Sequence, residues 1–332
     1  MKNGLESRIK SYIEAKNLAE KLGLERDFKI RFLAQGEYNI NYLVEDRAKK
    51  LVFRANTASQ LGLENQIEYE YNALKALELS GVTPRAHYVD GKKDVLDYGV
   101  LVMEFLEGVP LDYSKDLRTA ATIFGKIHSL DTEGLDETFI VESDILSSRV
   151  REARMWLGDY MDSPKVDVKL KSFFQNFLDW AEANSHKETY FKQDKWHVVN
   201  NTEVNSHNFI IGEERSYLID WEKPVISDPC QDITQFIAET TTSWKGSYVL
   251  SRDEKKDFFK HYAKNLSAGD RGIEERVQIY APYLYLRALS WCAYAWLEYQ
   301  NPDKEIVNMD TFMKIEQYLD VDFMEKLISP LK

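Results

Sequence analysis

Strand-type sequence is confined to the first third of this chain apart from one short segment, and that segregation restricts the fold more than any other feature. Residues 28–34, 40–46 and Lys50–Arg54 carry the branched and aromatic residues of strands. Between the first two lies Ala34-Gln35-Gly36-Glu37-Tyr38-Asn39, a turn signal that joins them as a hairpin. Two more strand patterns follow at Ala86–Val89 and Tyr98–Glu104. Leu5, Ile9, Tyr12, Ala15, Leu18, Ala19 and Leu22 predict an amphipathic helix over 5–23. Ile67, Tyr71, Leu74 and Leu77 predict another over 64–79, closed by Ser80-Gly81-Val82-Thr83-Pro84. Beyond the break at Glu107-Gly108-Val109-Pro110 the periodicity turns helical, over 114–129, 143–158, 166–184, 228–243, 253–264, 272–299 and 309–328. The exception is 196–221, where Asn208-Phe209-Ile210-Ile211 and Tyr217-Leu218-Ile219 flank Gly212-Glu213-Glu214-Arg215 as a β-hairpin. Strands followed by helices, with no internal repeat, argue for an α+β fold rather than an alternating one. The expected organisation is bilobal. A small N-lobe (1–105) holds an antiparallel β-sheet plus helix, and a large, mainly helical C-lobe (106–332) carries the hairpin.

Composition narrows the function classes. A chain of 332 residues with 44% hydrophobic residues can bury large cores, and is too apolar for a disordered chain. With 43 Lys+Arg against 55 Asp+Glu the net charge is −12, and no long basic stretch offers a nucleic-acid footprint. Cys230 and Cys292, the only cysteines, form no disulfide framework or paired metal knuckle, which fits a reducing compartment and a cytoplasmic setting. The N-terminus is polar, unlike a signal peptide, and no run of about 18 apolar residues predicts a membrane span. The six histidines are scattered, without HExxH spacing.

The hairpin holds the chemistry. Its ends carry Glu203, Asn205, Asn208, Asp220 and Glu222. Carboxylates and an amide at hairpin ends are hard oxygen donors, suited to a divalent cation that carries a phosphate ligand. With the strand-rich front, this ordered series resembles the aminoglycoside phosphotransferase and choline kinase family, whose members share the protein-kinase-like fold. Gln35-Gly36-Glu37-Tyr38-Asn39 stands where the family places its phosphate-covering loop, with Gly36 and Asn39 as nucleotide contacts. Arg54 stands for the third-strand cation on the phosphates, and Glu70 (Glu68 as second choice) for the helix carboxylate that orients it. Val102-Met103-Glu104-Phe105-Leu106-Glu107-Gly108 resembles the hinge, where the backbone around Met103, Glu104 and Leu106 holds adenine. Phe124-Gly125-Lys126-Ile127-His128-Ser129-Leu130 resembles the family's helix end L-x-x-L-H-x-L.

The family's catalytic pattern is H-x-D-x-x-x-x-N followed by I-D-W/F-[DE]. This chain reads Asn201-Thr202-Glu203-Val204-Asn205-Ser206-His207-Asn208, then Ile219-Asp220-Trp221-Glu222. The resemblance implies Asn208 and Asp220 as Mg²⁺ ligands assisted by Glu222, and Glu203 as the catalytic carboxylate in place of Asp, one methylene longer. Ser227-Asp228-Pro229-Cys230-Gln231-Asp232 matches the downstream G-D-P-x-x-D, a brace for the catalytic loop. The implied activity is Mg²⁺-dependent transfer of the ATP γ-phosphoryl group to a hydroxyl of a small metabolite, aminoglycoside, choline or sugar-like acceptor, with GTP left open as donor. The departures at Glu203 and Asn201 leave a nucleotide-binding pseudokinase with a regulatory or scaffold role as the alternative. Residues 1–105 hold 16 basic and 16 acidic residues, so the whole negative balance belongs to the second part. That asymmetry favours a cationic or neutral acceptor. The aromatic helix Arg276–Gln300 reads first as core and second as a wall for such an acceptor.

Overall fold

In the computed structural model, residues 2–59, 61–244, 246–301 and 308–329 are described. In chain order the front holds α1 (Lys2–Ala15), α2 (Leu18–Leu22), β1 (Lys29–Gln35), β2 (Asn39–Glu45), β3 (Lys50–Asn56), α3 (Gln66–Leu77), β4 (Ala86–Asp90), β5 (Gly99–Glu104) and β6 (Val109–Pro110). Then come α4 (Leu117–Ile127), α5 (Ile145–Asp162), α6 (Val168–Asn184), α7 (Glu188–Gln193), β7 (Val198–Asn200), β8 (Phe209–Ile211), β9 (Ser216–Leu218) and β10 (Val225–Ser227). The chain closes with α8 (Cys230–Ile237), α9 (Glu239–Thr242), α10 (Arg252–Lys264), α11 (Ile273–Tyr299), α12 (Met309–Tyr318) and α13 (Val321–Ile328).

Two compact units result. The first comprises Met1–Leu111, Leu130–Ile140 and His207–Val225; the second comprises Asp112–Ser129, Val141–Ser206 and Ile226–Lys332. A division at residues 105 and 106 follows chain order. The structure instead draws the 207–225 hairpin into the first unit, because β8 pairs with β6 through Val109↔Ile211 and Pro110↔Ile210. Gly108 permits that approach: a Cβ there would lie 2.5 Å from the Ile211 carbonyl oxygen.

The first unit is built on an antiparallel sheet in the order β1-β2-β3-β5-β4. Because strand side chains alternate, its two faces have different jobs. Tyr42, Val44, Leu51, Phe53, Ala55, Val100 and Val102 face one way, and there they bury Leu5, Ile9, Tyr12 and Ile13 of α1 with Leu18 and Leu22 of α2. Each such side chain removed from water is worth about 1.5–3 kcal/mol. The register Asn39↔Asn56 and Asn41↔Arg54 puts four polar residues together on the opposite face. The single helix expected over 5–23 is two helices, parted at Asn17, whose φ of 52° is left-handed, a conformation Asn tolerates.

The second unit is helical, with α5 and α8 packed on α11 and α10 packed on α4. Two expected helices are divided. The 228–243 segment bends at Ala238, whose ψ is 138°, and the 309–328 segment restarts at Asp320, whose side chain accepts from the Phe323 N–H at 2.9 Å. Helix α7 and the three-residue strands β7 and β10 have too few residues to show a period. The α11 helix runs through Pro282. Of its aromatics, Tyr280, Tyr283 and Tyr285 are buried, whereas Trp291 and Tyr294 are exposed. Among the described residues no helix is long and apolar enough to cross a membrane.

Candidate functional site

The polar face of the sheet is the centre of the site. Arg54 projects from β3 onto that face by the same alternation that sends Phe53 and Ala55 to the core. Its Nε donates to Asn41 Oδ1 at 3.0 Å, Nη1 donates to Glu70 Oε1, and the same nitrogen lies 3.5 Å from Asp220 Oδ1. Burial opposes the guanidinium charge, but Glu70, Asp220 and Glu222 together hold its pKa above the ordinary value. Glu70 sits on the inner face of α3 with Ile67, Tyr69, Ala73 and Leu74, and is 2% exposed, while Glu68 is exposed. That separates the two carboxylates that the family resemblance offered as partners for Arg54. Burial pushes the Glu70 carboxyl up to about 7; Arg54 opposes the rise, and repulsion from Asp220 and Glu222 adds to it. Glu70 Oε2 has no hydrogen-bond partner.

The 207–225 hairpin brings the oxygen donors. The Ile219 N–H donates to the Asn208 carbonyl at 2.8 Å, so Asn208 and Asp220 leave the hairpin side by side. Asp220 has a left-handed φ of 66°, a strained conformation of the kind that collects at functional sites. Among the described residues the Asn208 side-chain amide has no hydrogen-bond partner, although the residue is only 7% exposed. No three His, Cys, Asp or Glu side chains of the described residues form a metal cage. The set Asn208, Asp220 and Glu222 contains an amide and two carboxylates. Mg²⁺ commonly takes one or two carboxylates and completes its shell with water and phosphate oxygens, so these residues fit it.

Glu222 is tied down. Asn39 Nδ2 donates to Glu222 Oε2 at 2.6 Å, Asn39 Oδ1 accepts from Asn56 Nδ2 at 3.0 Å, and Gln66 Nε2 donates to the Glu222 carbonyl at 2.6 Å. Asn39, expected as a nucleotide contact, therefore acts as a strut from the sheet to the hairpin. The Tyr69 hydroxyl completes the attachment, donating to the Pro224 carbonyl at 2.6 Å. Sequence reasoning did not single out Asn41, Asn56, Gln66 or Tyr69. For the two asparagines a signal existed: Asn39, Asn41, Arg54 and Asn56 alternate on one face of two paired strands. For Gln66 and Tyr69 none did, since their partners are about 155 residues away.

Gly36 lies in the turn where its N–H donates to the Asn39 carbonyl at 2.9 Å. The nearest atom to a Cβ built on it is 4.0 Å away, so the protein itself does not require glycine there. At the end of β5, Met103 is buried and the Glu104 N–H is spent on the Arg85 carbonyl at 2.8 Å. Leu106, just beyond the strand, leaves its backbone N–H and carbonyl without partners among the described residues.

The loop with Glu203 belongs to the second unit. Asp232, fully buried on α8, accepts from the N–H groups of Asn201 at 2.7 Å and Thr202 at 2.8 Å. Thr202 is held at φ 71°, an outlier for a β-branched residue. Asn201 Oδ1 accepts from the Glu203 N–H at 3.2 Å, and Asn205 Nδ2 donates to the Glu203 carbonyl at 3.1 Å. Asn201 thus braces the loop where the family pattern has histidine. Asp228, the other candidate brace, pairs with the fully buried Arg276, which also reaches Asp194 and is surrounded by the rings of Tyr190, Phe191 and Trp196.

The model of the APH phosphotransferase enzyme family matches residues 29–264. No curated protein matches the chain significantly. Among solved structures, a putative aminoglycoside phosphotransferase from Ralstonia eutropha superposes with a TM-score of 0.67 at 12% identity, over 96% of this chain and 98% of that one. A spectinomycin phosphotransferase in complex with ADP and spectinomycin gives 0.58 at 16% identity, over 95% and 98%. The choline kinase LicA from Streptococcus pneumoniae gives 0.58 at 18% identity, over 94% and 99%. At these identities the likeness establishes the fold, which is protein-kinase-like.

Proposed function

The chain belongs to the APH phosphotransferase enzyme family, and on that premise we propose that it transfers the γ-phosphoryl group of ATP to a hydroxyl of a small, cationic or neutral molecule, with Mg²⁺. The observation that carries this reading is the buried Arg54–Glu70 pair directed at Asp220 on the polar face of the sheet. Arg54, aimed by Glu70 and Asn41, holds phosphate oxygens and offsets the charge that spreads over them during transfer. Asn208 and Asp220, with Glu222 behind them, hold Mg²⁺, which supplies neutralisation of the phosphate charge when bound. Leu106 offers its open backbone to the purine, and Gly36 lets a phosphate approach the turn. Glu203 orients the acceptor hydroxyl and takes its proton as the oxygen forms its bond to phosphorus. We assign the nucleotide to the first unit and the acceptor to the second, in a cytoplasmic protein. Complexes of a spectinomycin phosphotransferase of this fold with ADP and with AMP support a nucleotide ligand.

The test is a thermal-shift comparison of ATP and GTP with Mg²⁺, followed by a screen of amino alcohols, aminoglycosides, sugars and nucleosides for ADP release and a phosphorylated product. Arg54→Ala should lose the nucleotide shift. Glu203→Ala should keep it and lose turnover. Equal turnover by wild type and Glu203→Ala refutes the role of Glu203. The second reading, a pseudokinase, is favoured by one observation: the catalytic carboxylate is a Glu beside a strained Thr202. It predicts a nucleotide shift with no product from any acceptor class.

A further inference from the structure

The second unit contains a cavity of about 430 Å³ whose lining is drawn from α8, α9, α10, α11 and α13, and the phosphotransfer reading uses none of it. Its walls are apolar where Ile237, Val277, Ala281 and Leu327 meet. Its charged residues are four cations, Arg252, Lys255, Lys256 and Lys326, against Glu239 and Glu274. A net positive cavity is unexpected in the part of the chain that carries all of the excess negative charge.

Two polar groups here lack partners. Thr234 is 2% exposed and its hydroxyl has no hydrogen bond. On α8 it lies two positions, about 200° of helical rotation, from Asp232, so it faces away from the loop that Asp232 braces. Lys255 is half-buried, and among the described residues its ammonium has neither an ion pair nor a hydrogen bond. Burial draws it below the usual lysine range, against the attraction of Glu239. Glu239 is itself approached by Lys326 Nζ at 4.0 Å. A buried hydroxyl without a partner costs free energy in a folded protein, as does a desolvated ammonium, and both costs are relieved by one anionic acceptor.

We propose that this cavity binds a small amphiphilic carboxylate, its anionic head on the Lys255 ammonium and the Thr234 hydroxyl and its apolar body against Val277, Ala281 and Leu327. The chemistry of the lining selects the class. Apolar walls take a chain or ring, the surplus cations take one negative charge, and a carboxylate accepts from both unpartnered donors. The size of the cavity is in the range of small-molecule sites.

The probe is octanoate, titrated calorimetrically into the full chain without nucleotide, so that the outcome is independent of the phosphotransfer assignment. Octanoate should bind saturably at one site, and acetate and octylamine should not. Lys255→Met should weaken octanoate about tenfold or more, a loss of at least about 1.4 kcal/mol, and Thr234→Val, which changes only the hydroxyl, should weaken it less. Circular dichroism of both variants verifies their folding. Absence of saturable octanoate binding overturns the proposal, as does octylamine binding as tightly as octanoate. If Lys255→Met does not fold, undiminished affinity in Thr234→Val overturns it.

Discussion

Replacing Glu70 by Gln tests the electrostatics at the centre of the site. The Glu70 carboxyl is 2% exposed, shares one oxygen with Arg54 and has no partner for the other. Its pKa in the folded protein is about 7 against 4.5 for an unperturbed carboxyl. Between those values the native state holds a proton that the unfolded chain has released, so native stability falls as pH rises through the window. The window runs from pH 4.5 to about 7, and at about 1.4 kcal/mol per pH unit the loss across it is about 3–4 kcal/mol. Gln copies the protonated carboxyl in shape and charge. Glu70→Gln and wild type should therefore be nearly equal in stability at pH 4.5, and the variant should be the more stable by about 3–4 kcal/mol at pH 8. Urea unfolding followed by tryptophan fluorescence at a series of pH values measures the difference, with other titrating groups cancelling between the two proteins. The extra stability should come with a weaker nucleotide shift, since Arg54 loses its orienting carboxylate. Parallel stability profiles across the window would refute the reasoning, because Glu70 would then ionise as it does in the unfolded chain.

Burial lowers the His197 pKa to about 4, so stability present above pH 6.5 should decline as pH falls towards 4. Screening at this half-buried site reduces the full linkage to about 1–2 kcal/mol, and His197→Gln should remove that part of the acid slope in the same unfolding series. Arg276→Met leaves the 3%-exposed Asp228 without its cation and should cost about 3–5 kcal/mol, partly recovered by adding Asp228→Asn, as read by a double-mutant cycle in urea. Gly125→Ala would set a Cβ 2.5 Å from Asn265 Cβ and 3.1 Å from the Asn265 carbonyl carbon, forcing α4 and α10 apart; a loss of about 1–3 kcal/mol is expected. Gly158→Ala, in the exposed middle of α5 with nothing within 4 Å, should instead raise stability by about 1 kcal/mol in thermal melts.

Local patterns made much of the fold legible. Alternation in β2 and β3 is visible in the chain because one face must be apolar, and it also places Arg54 opposite Phe53; β5, buried on both faces, reads instead as a continuous apolar run. The 208–211 and 217–219 pattern stands out because turn residues separate two short apolar runs, and strands form there at Phe209–Ile211 and Ser216–Leu218. Helix ends were less legible. The breaks at Asn17, Ala238 and Asp320 interrupt continuous periodicity: Asn17 takes a left-handed φ, Ala238 an extended ψ, and Asp320 caps the next helix with its own side chain. The roles of Glu222 and Asn39 were hidden as well. Spacing gives Glu222 a place beside a metal, but its hydrogen bond to Asn39 crosses 183 residues and leaves no periodic trace.

The sequence by itself determined the strand-rich front, the helical remainder, the hairpin and the order of charged residues along them. Those follow from local periodicity and from residue types at turns, which act over a few positions. Only the tertiary structure decided that Glu70 rather than Glu68 reaches Arg54, that Asn39 secures Glu222, and that Thr234 and Lys255 line one cavity without partners. Such outcomes depend on burial and on which distant side chains meet. Desolvation, which sets the charge state of Glu70 and the cost of an unpaired donor, exists only once the chain has folded around the group.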